Sequence, residues 1–158
     1  MAKIKLNRLE LIVYDFDGVM TNNKVIVDQF GNESVNVNRS DGLAIAEIKK
    51  MGIKQAILST EKNPVVLKRA EKLNIPCIYG SDNKLLDLKY FLKENNVSPK
   101  NTMYIGNDIN DMEAMKFVGY SGCPVDAHES IKAIACTTLK TKGGNGVVRE
   151  LFDLIIKK

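Results

Sequence analysis

The sequence predicts an α/β domain built on a mainly parallel sheet. Three observations carry this. Short apolar runs rich in β-branched residues alternate with segments whose apolar residues recur at helical spacing. That alternation means strands joined by crossover helices. The polar clusters Asp15–Asp17, Ser59–Thr60, the Gly80–Lys84 segment and Gly106–Asp111 each come after a predicted strand. In open α/β sheets, ligands bind beyond the carboxyl ends of the strands.

The elements follow in order. Leu9–Tyr14 is a short apolar run that ends in Asp-Phe-Asp-Gly, so it reads as a buried strand feeding a polar loop. Val25–Val27 and Val35–Val37 flank a glycine-containing turn and form a hairpin. Leu43–Met51 repeats apolar residues at 45, 48 and 51 and stops at Gly52, a helix with a glycine cap. Lys54–Leu58 is a second buried strand. Asn63-Pro64 opens a helix with apolar positions 66, 67, 70 and 73. Cys77–Tyr79 is a short strand. Lys84–Asn96 carries Leu85, Leu88, Phe91 and Leu92 at helical spacing. Thr102–Ile105 reads as a strand, Asp111–Val118 as a helix and Tyr120–Cys123 as a strand. Val147–Ile156 closes the chain as an amphipathic helix.

Composition narrows the function. The chain has 158 residues, 44% apolar and 27% charged, which suits one folded domain over 1–158 and excludes a low-complexity chain. No apolar stretch has the length of a membrane helix, and no signal peptide is legible at the start. The net charge of +4 is mild and its lysines are scattered, so no nucleic-acid stripe is present. Cys77, Cys123 and Cys136 have no metal-binding spacing and read as free thiols of a reducing cytoplasm. His128 reads as a loop residue.

The residues that carry chemistry lie after the strands. Asp15 and Asp17 sit two apart on an extended segment, so their carboxylates point the same way. Like charges that close raise a pKa or recruit a hard cation such as Mg²⁺. Taken alone, the same pair could simply cap backbone amides. Ser59 offers a hydroxyl to a phosphate oxygen. Lys84 starts a helix, where it opposes the macrodipole unless an anion sits there too. Gly106-Asn107-Asp108-Ile109-Asn110-Asp111 is a second acidic loop. The set assembles a cation site and an anion cradle on one rim.

This order of motifs resembles the haloacid dehalogenase superfamily of phosphohydrolases. Asp15-Phe16-Asp17-Gly18 resembles its first motif, Ser59 the second, Lys84 the third and Gly106–Asp111 the fourth. The hairpin after the first motif, and the ending Gly143-Gly144-Asn145-Gly146-Val147-Val148-Arg149-Glu150, are similar to the capless sugar-acid phosphatase subfamily. That subfamily includes octulosonate 8-phosphate phosphatases, their nine-carbon relatives and phosphatase-like domains attached to acylneuraminate cytidylyltransferases. The resemblance spans about residues 6–156. It implies a Rossmann-like fold with a hairpin insertion at about 24–38, a tail over 143–158 and no cap domain.

The resemblance also implies roles. Asp15 is the nucleophile, and Asp17 protonates the leaving oxygen and then activates water. Ser59 and Lys84 hold the phosphoryl group. Mg²⁺ is held by Asp15, the Asp17 carbonyl and the fourth motif. There the chain departs from the family pattern, with Asn107 where Asp is usual and Asp108 beside it. Either Asn107 ligates through its carbonyl oxygen or Asp108 shifts in, and Asp111 orients Lys84 or a metal-bound water. For the sugar, Thr60 and Glu61 replace the Gly-Arg of octulosonate enzymes, and Glu61 with Lys72 resembles the nine-carbon branch. Asp41, in a segment Arg39–Asp41 read as closing the hairpin, and Arg149 join the candidate substrate contacts. Members of this subfamily resemble one another in forming homotetramers, in which the hairpin packs between subunits and a neighbour's tail or Lys72 closes each site. Two rival readings are a degenerate module of the same fold, suggested by Asn107, and a phosphoacceptor signalling domain.

Overall fold

A computed structural model describes residues 8–157. Six parallel strands form one sheet in the order β5-β4-β1-β6-β7-β8: β1 Leu11–Tyr14, β4 Lys54–Leu58, β5 Cys77–Ile78, β6 Thr102–Ile105, β7 Tyr120–Cys123 and β8 Thr137–Thr138. The chain builds outward from β1 to β5, then crosses back and starts again at β6. The order therefore reverses between β1 and β6, where a doubly wound sheet opens its ligand crevice. Ile105 O accepts from the Asp15 N–H at 2.8 Å, so the first and fourth polar loops leave the sheet side by side.

Strand β1 is buried on both faces, which explains its unbroken Leu-Ile-Val-Tyr run. Its residues alternate between two cores, as a period of two requires. Ile12 and Tyr14 pack in one cluster with Ile45 and Ile48 of α1 (Arg39–Lys50), Val66 and Ala70 of α2 (Val65–Leu73), and Val148, Leu151 and Ile155 of α6 (Val147–Ile156). Leu11 and Val13 pack in the other with Leu88 and Leu92 of α3 (Lys84–Glu94), Met115 of α4 (Met112–Phe117) and Ile131 of α5 (Glu129–Ile134). Each such fully buried aliphatic side chain stabilises the fold by about 1.5–3 kcal/mol. The remaining strands, β2 (Thr21–Val27) and β3 (Glu33–Val37), pair antiparallel as a separate hairpin.

The structure corrects two expectations. Helix α1 begins at Arg39, because Asn38 caps it by accepting from the Ser40 N–H at 2.9 Å. Arg39, Ser40 and Asp41 are therefore its first turn, not the closure of the hairpin. The expected helix from Asp111 instead starts as a 3₁₀ turn, Ile109–Asp111, ahead of α4. His128 lies in the loop before α5, as the sequence suggests, and also caps that helix, its Nδ1 accepting from the Ser130 N–H at 3.2 Å.

Asp41 is buried at 1% exposure and acts on another helix. Its Oδ1 accepts from the Arg149 N–H at 3.0 Å, at the start of α6, whose own cap position is Gly146. Burial pushes the Asp41 carboxyl up to about 6, against the pull of the Arg149 and Val148 amides and the Arg69 charge. A raised folded pKa means that the folded protein holds this proton more tightly than the unfolded chain does. The cost of charging Asp41 is thus full above pH 6 and relieved as pH falls toward 4. Relative to Asp41→Asn, the wild type should gain up to about 3 kcal/mol of stability between pH 7 and pH 4. Denaturant unfolding at both pH values measures this, and parallel pH dependences would contradict it.

Candidate active site

The Lys84 ammonium lies between two buried carboxylates. Its Nζ is 2.8 Å from Asp15 Oδ1 and 2.7 Å from Asp111 Oδ1, and all three side chains are buried. Each arrives from a different strand end. Asp15 follows β1, Lys84 opens α3 behind the Asn83 cap, and Asp111 ends the 3₁₀ turn after β6. Asp111 also accepts from the Tyr104 hydroxyl at 2.8 Å and from the backbone N–H groups of Asn107 at 2.9 Å and Asp108 at 3.3 Å. Four contacts on one carboxylate leave it no freedom to turn. Asp15 Oδ1 accepts from the Phe16 N–H at 2.7 Å as well as from Lys84.

Burial alone would lower the Lys84 pKa, but the charges and hydrogen bonds of Asp15 and Asp111 outweigh it and push it up. Burial, then the Asp111 charge, push Asp15 well above the usual carboxylate range, against the pull of Lys84. Two buried carboxylates facing one lysine leave negative charge uncompensated, and a cation beside Asp15 would offset it. Burial also raises Asp17, against the hydrogen bond that it accepts from the Thr21 hydroxyl at 3.1 Å.

The Asn107 side chain fits such a cation. In one orientation of its amide, Oδ1 lies 3.1 Å from Asp15 Oδ2 and 2.9 Å from the Asp17 carbonyl oxygen; in the other, Nδ2 donates to both. Octahedral Mg²⁺ with ligands at 2.0–2.1 Å sets neighbouring ligand oxygens about 3 Å apart. The Asn107 oxygen has that spacing to each of the other two. Among the described residues, no three His, Cys, Asp or Glu side chains converge as a metal site. Here an amide and a backbone carbonyl complete the set. Gly18 makes room for it: its φ is +76°, and a Cβ there would lie 2.0 Å from the Asn107 amide nitrogen. Asp108 is held differently, its Oδ1 accepting from the Ile109 N–H at 2.7 Å.

A cleft of about 360 Å³ opens over this group, lined by Asp15, Asp17, Ser59, Thr60, Asn107 and Asp108, with Asn23 and Ile109–Asn110 at its edges. Ser59 is buried, and its Oγ accepts from the Glu61 N–H at 3.1 Å. A second hollow of about 270 Å³ shares Asp17 and Asn23 and adds Lys24, Val25, Glu33 and Glu61. Another cleft, of about 360 Å³, lies at the far end of β4, where Lys49 and Lys54 donate to the carbonyls of Asn74 and Asn95. It gathers no comparable set of polar groups.

Asp15, Asp17, Ser59, Thr60, Asn107 and Asp108 thus come together, with Lys84 and Asp111 beneath. Glu61 borders the second hollow. Asp41, Lys72 and Arg149 do not join them within the chain. Asp41 sits under α6, Lys72 is exposed on α2, and Arg149 pairs with Asp153 at 3.0 Å. The sequence reading missed Thr21, Tyr104 and Asn23. Thr21 had a signal, a hydroxyl four residues after Asp17, while Tyr104 was hidden inside an apolar strand.

Residues 44–151 match the family of haloacid dehalogenase-like hydrolases. The chain is 31% identical over 153 residues to the 3-deoxy-D-manno-octulosonate 8-phosphate phosphatase KdsC of Shigella flexneri, covering 96% of this chain and 81% of that protein. It is 28% identical to N-acylneuraminate cytidylyltransferase A of Danio rerio, covering 99% of this chain but 37% of that longer protein. Among solved structures, a HAD family hydrolase from Streptomyces avermitilis superposes with a TM-score of 0.90 at 40% identity, over 92% of this chain and 84% of that one. The octulosonate phosphatase of Moraxella catarrhalis, solved with magnesium, phosphate and KDO, superposes with a TM-score of 0.92 at 30% identity, over 97% and 88%.

Lys84→Ala strands two buried carboxylates. It should lower stability by about 3–5 kcal/mol, read as a fall in the denaturant midpoint. An unchanged midpoint would show that the triad does not hold the rim together.

Proposed function

The chain belongs to the haloacid dehalogenase-like hydrolases and is an enzyme of the phosphatase type; on that premise we propose that it is a magnesium-dependent phosphomonoesterase of 2-keto-3-deoxy sugar-acid phosphates, with nine-carbon 9-phosphates preferred to octulosonate 8-phosphate. The observation that carries this reading is the convergence of Asp15, the Asp17 carbonyl and Asn107 over a lysine held by two carboxylates.

Asp15 lines the cleft, and its carboxylate attacks phosphorus, forming a phosphorus–oxygen bond as the sugar oxygen leaves. Asp17, its carboxyl raised by burial, gives that oxygen its proton. In the second half Asp17 takes a proton from water, the water oxygen attacks phosphorus, and inorganic phosphate departs with Asp15 restored. Lys84 and Ser59 face the charge that spreads over the phosphoryl oxygens, and they are already oriented, so little reorganisation is needed. Mg²⁺, when bound by Asp15, the Asp17 carbonyl and Asn107, supplies further charge neutralisation.

The substrate preference rests on Glu61. In the hollow beside Asp17 its carboxylate can accept from sugar hydroxyls, where the Arg usual in octulosonate enzymes would donate. The similarity to an acylneuraminate cytidylyltransferase supports this reading, while the phosphatase relatives named for octulosonate make that sugar the direct rival. The reading extends to a homotetramer, in which Lys72, exposed on α2, reaches a neighbour's site, while the start of the 143–150 tail packs against its own chain's Gly18–Asn22 loop. The hairpin residues Val25, Ile26, Val27 and Phe30 are 50–81% exposed, an apolar surface suited to a second copy. Among the described residues no helix is long and apolar enough to cross a membrane.

Phosphate release from octulosonate 8-phosphate, nine-carbon 9-phosphates and hexose phosphates tests the proposal. Release should require Mg²⁺, favour the nine-carbon acid and fall by at least about 10³-fold in Asp15→Asn. Preference for the octulosonate would overturn the role of Glu61 alone. No turnover by the folded protein would favour the degenerate module.

A further inference from the structure

The proposed reaction leaves Asp41 unused, although burying a carboxylate is costly. Among the described residues, two buried side-chain polar atoms lack a hydrogen-bond partner: Asp41 Oδ2 and Arg69 Nε. The groups facing Asp41 are the Arg69 guanidinium from α2, Tyr14 from β1, and the Val148 and Arg149 amides from α6. Its one short contact is the Arg149 N–H. Asp41 thus does for α6 what no side chain at Gly146 can: it sets a negative charge at the helix N-terminus.

Helix α6 starts directly after the glycine-rich segment 143–146, and that segment lies on the catalytic loop. A Cβ at Gly143 would fall 2.2 Å from the Gly18 carbonyl oxygen, and one at Gly144 would fall 2.5 Å from Asn22 N. The Gly144 N–H donates to Val19 O at 3.0 Å, and the Gly143 N–H to Asp126 at 2.9 Å. Gly144 also has a φ of +73°, so no other residue fits there without strain. Beneath the segment, Thr21 Oγ1 accepts from the Gly18 N–H and donates to Asp17 Oδ1. An unbroken series of contacts therefore joins Asp41 to the side chain of Asp17.

We propose that Asp41 is a positioning residue: by anchoring the N-terminus of α6 it seats Gly143 and Gly144 on the Gly18–Asn22 loop and thereby aims Asp17 at the leaving oxygen. The inference rests on the reading of Asp17 as proton donor. A mispositioned donor hurts substrates that need their leaving oxygen protonated and spares those that do not. An alkyl phosphate such as a sugar phosphate belongs to the first kind, and p-nitrophenyl phosphate to the second.

The test compares kcat/KM, which covers steps through leaving-group departure, for both substrates in the wild type, Asp17→Asn, Asp41→Ala and Asp41→Asn. Asp17→Asn establishes the signature: a loss of at least about 10²-fold on the alkyl phosphate and far less on the aryl one. Asp41→Ala should show the same selectivity in weaker form, about 10-fold against less than about 3-fold. Asp41→Asn keeps an acceptor oxygen for the Arg149 N–H and should recover most of the alkyl activity. Equal losses on both substrates in Asp41→Ala, with Asp17→Asn selective, would overturn the inference and leave the proton-donor reading intact. An unselective Asp17→Asn would overturn that reading, and the inference with it. Should Asp41→Ala fail to fold, Gly144→Ala disturbs the same path from its other end and must show the same selectivity for the inference to stand.

Discussion

The contact on which the site depends is the buried bridge from Lys84 to Asp15 and Asp111. It ties three strand ends together at the point where the sheet reverses direction. Without Lys84, two carboxylates would be buried with no counter-charge, and without Asp111 the lysine would lose the group that fixes it. Buried ion pairs are poor sources of net stability, because desolvation offsets much of their attraction. Their use here is geometric. Four contacts on Asp111 and two on Asp15 Oδ1 fix where the remaining oxygen, Asp15 Oδ2, faces.

A site fixed before substrate arrives suits phosphoryl transfer, where the protein mainly positions groups and stabilises charge. The uncompensated charge around Asp15 then becomes useful, because it creates a place for a cation. On the proposed reading Asn107 would complete that place without adding another acid. Its amide can present nitrogen to the two facing oxygens or join them as a third oxygen. Gly18 is the backbone condition for either arrangement, since any side chain there would strike the amide.

Much of this was legible in the sequence because it depends on order and spacing. The strands β1, β4 and β6 end in apolar residues and run into polar loops, and helices α3 and α6 carry long apolar stripes. What was illegible depends on direction. The first turn of α1, Arg39 to Gly42, has no apolar period, and its start is set by the Asn38 cap. Helix α5 has six residues and one fully buried side chain, too few for a pattern. Tyr104 reads as core, and only the fold turns its hydroxyl onto Asp111. The choice between Asn107 and Asp108 could not be read either, because the loop after Gly106 decides which side chain faces Asp15. Asp41 looked like a sugar contact because it is a charged residue near a hairpin; burial under α6 gives it different work.

Diffraction from Mn²⁺-soaked crystals would test the account most directly, since the anomalous signal of the ion marks its position without ambiguity. The account predicts one ion bonded to a carboxylate oxygen of Asp15, the Asp17 carbonyl and the Asn107 side-chain oxygen, with Lys84 still between Asp15 and Asp111. An ion held by the Asp108 carboxylate with Asn107 turned away, or a Lys84 released from Asp111, would contradict it.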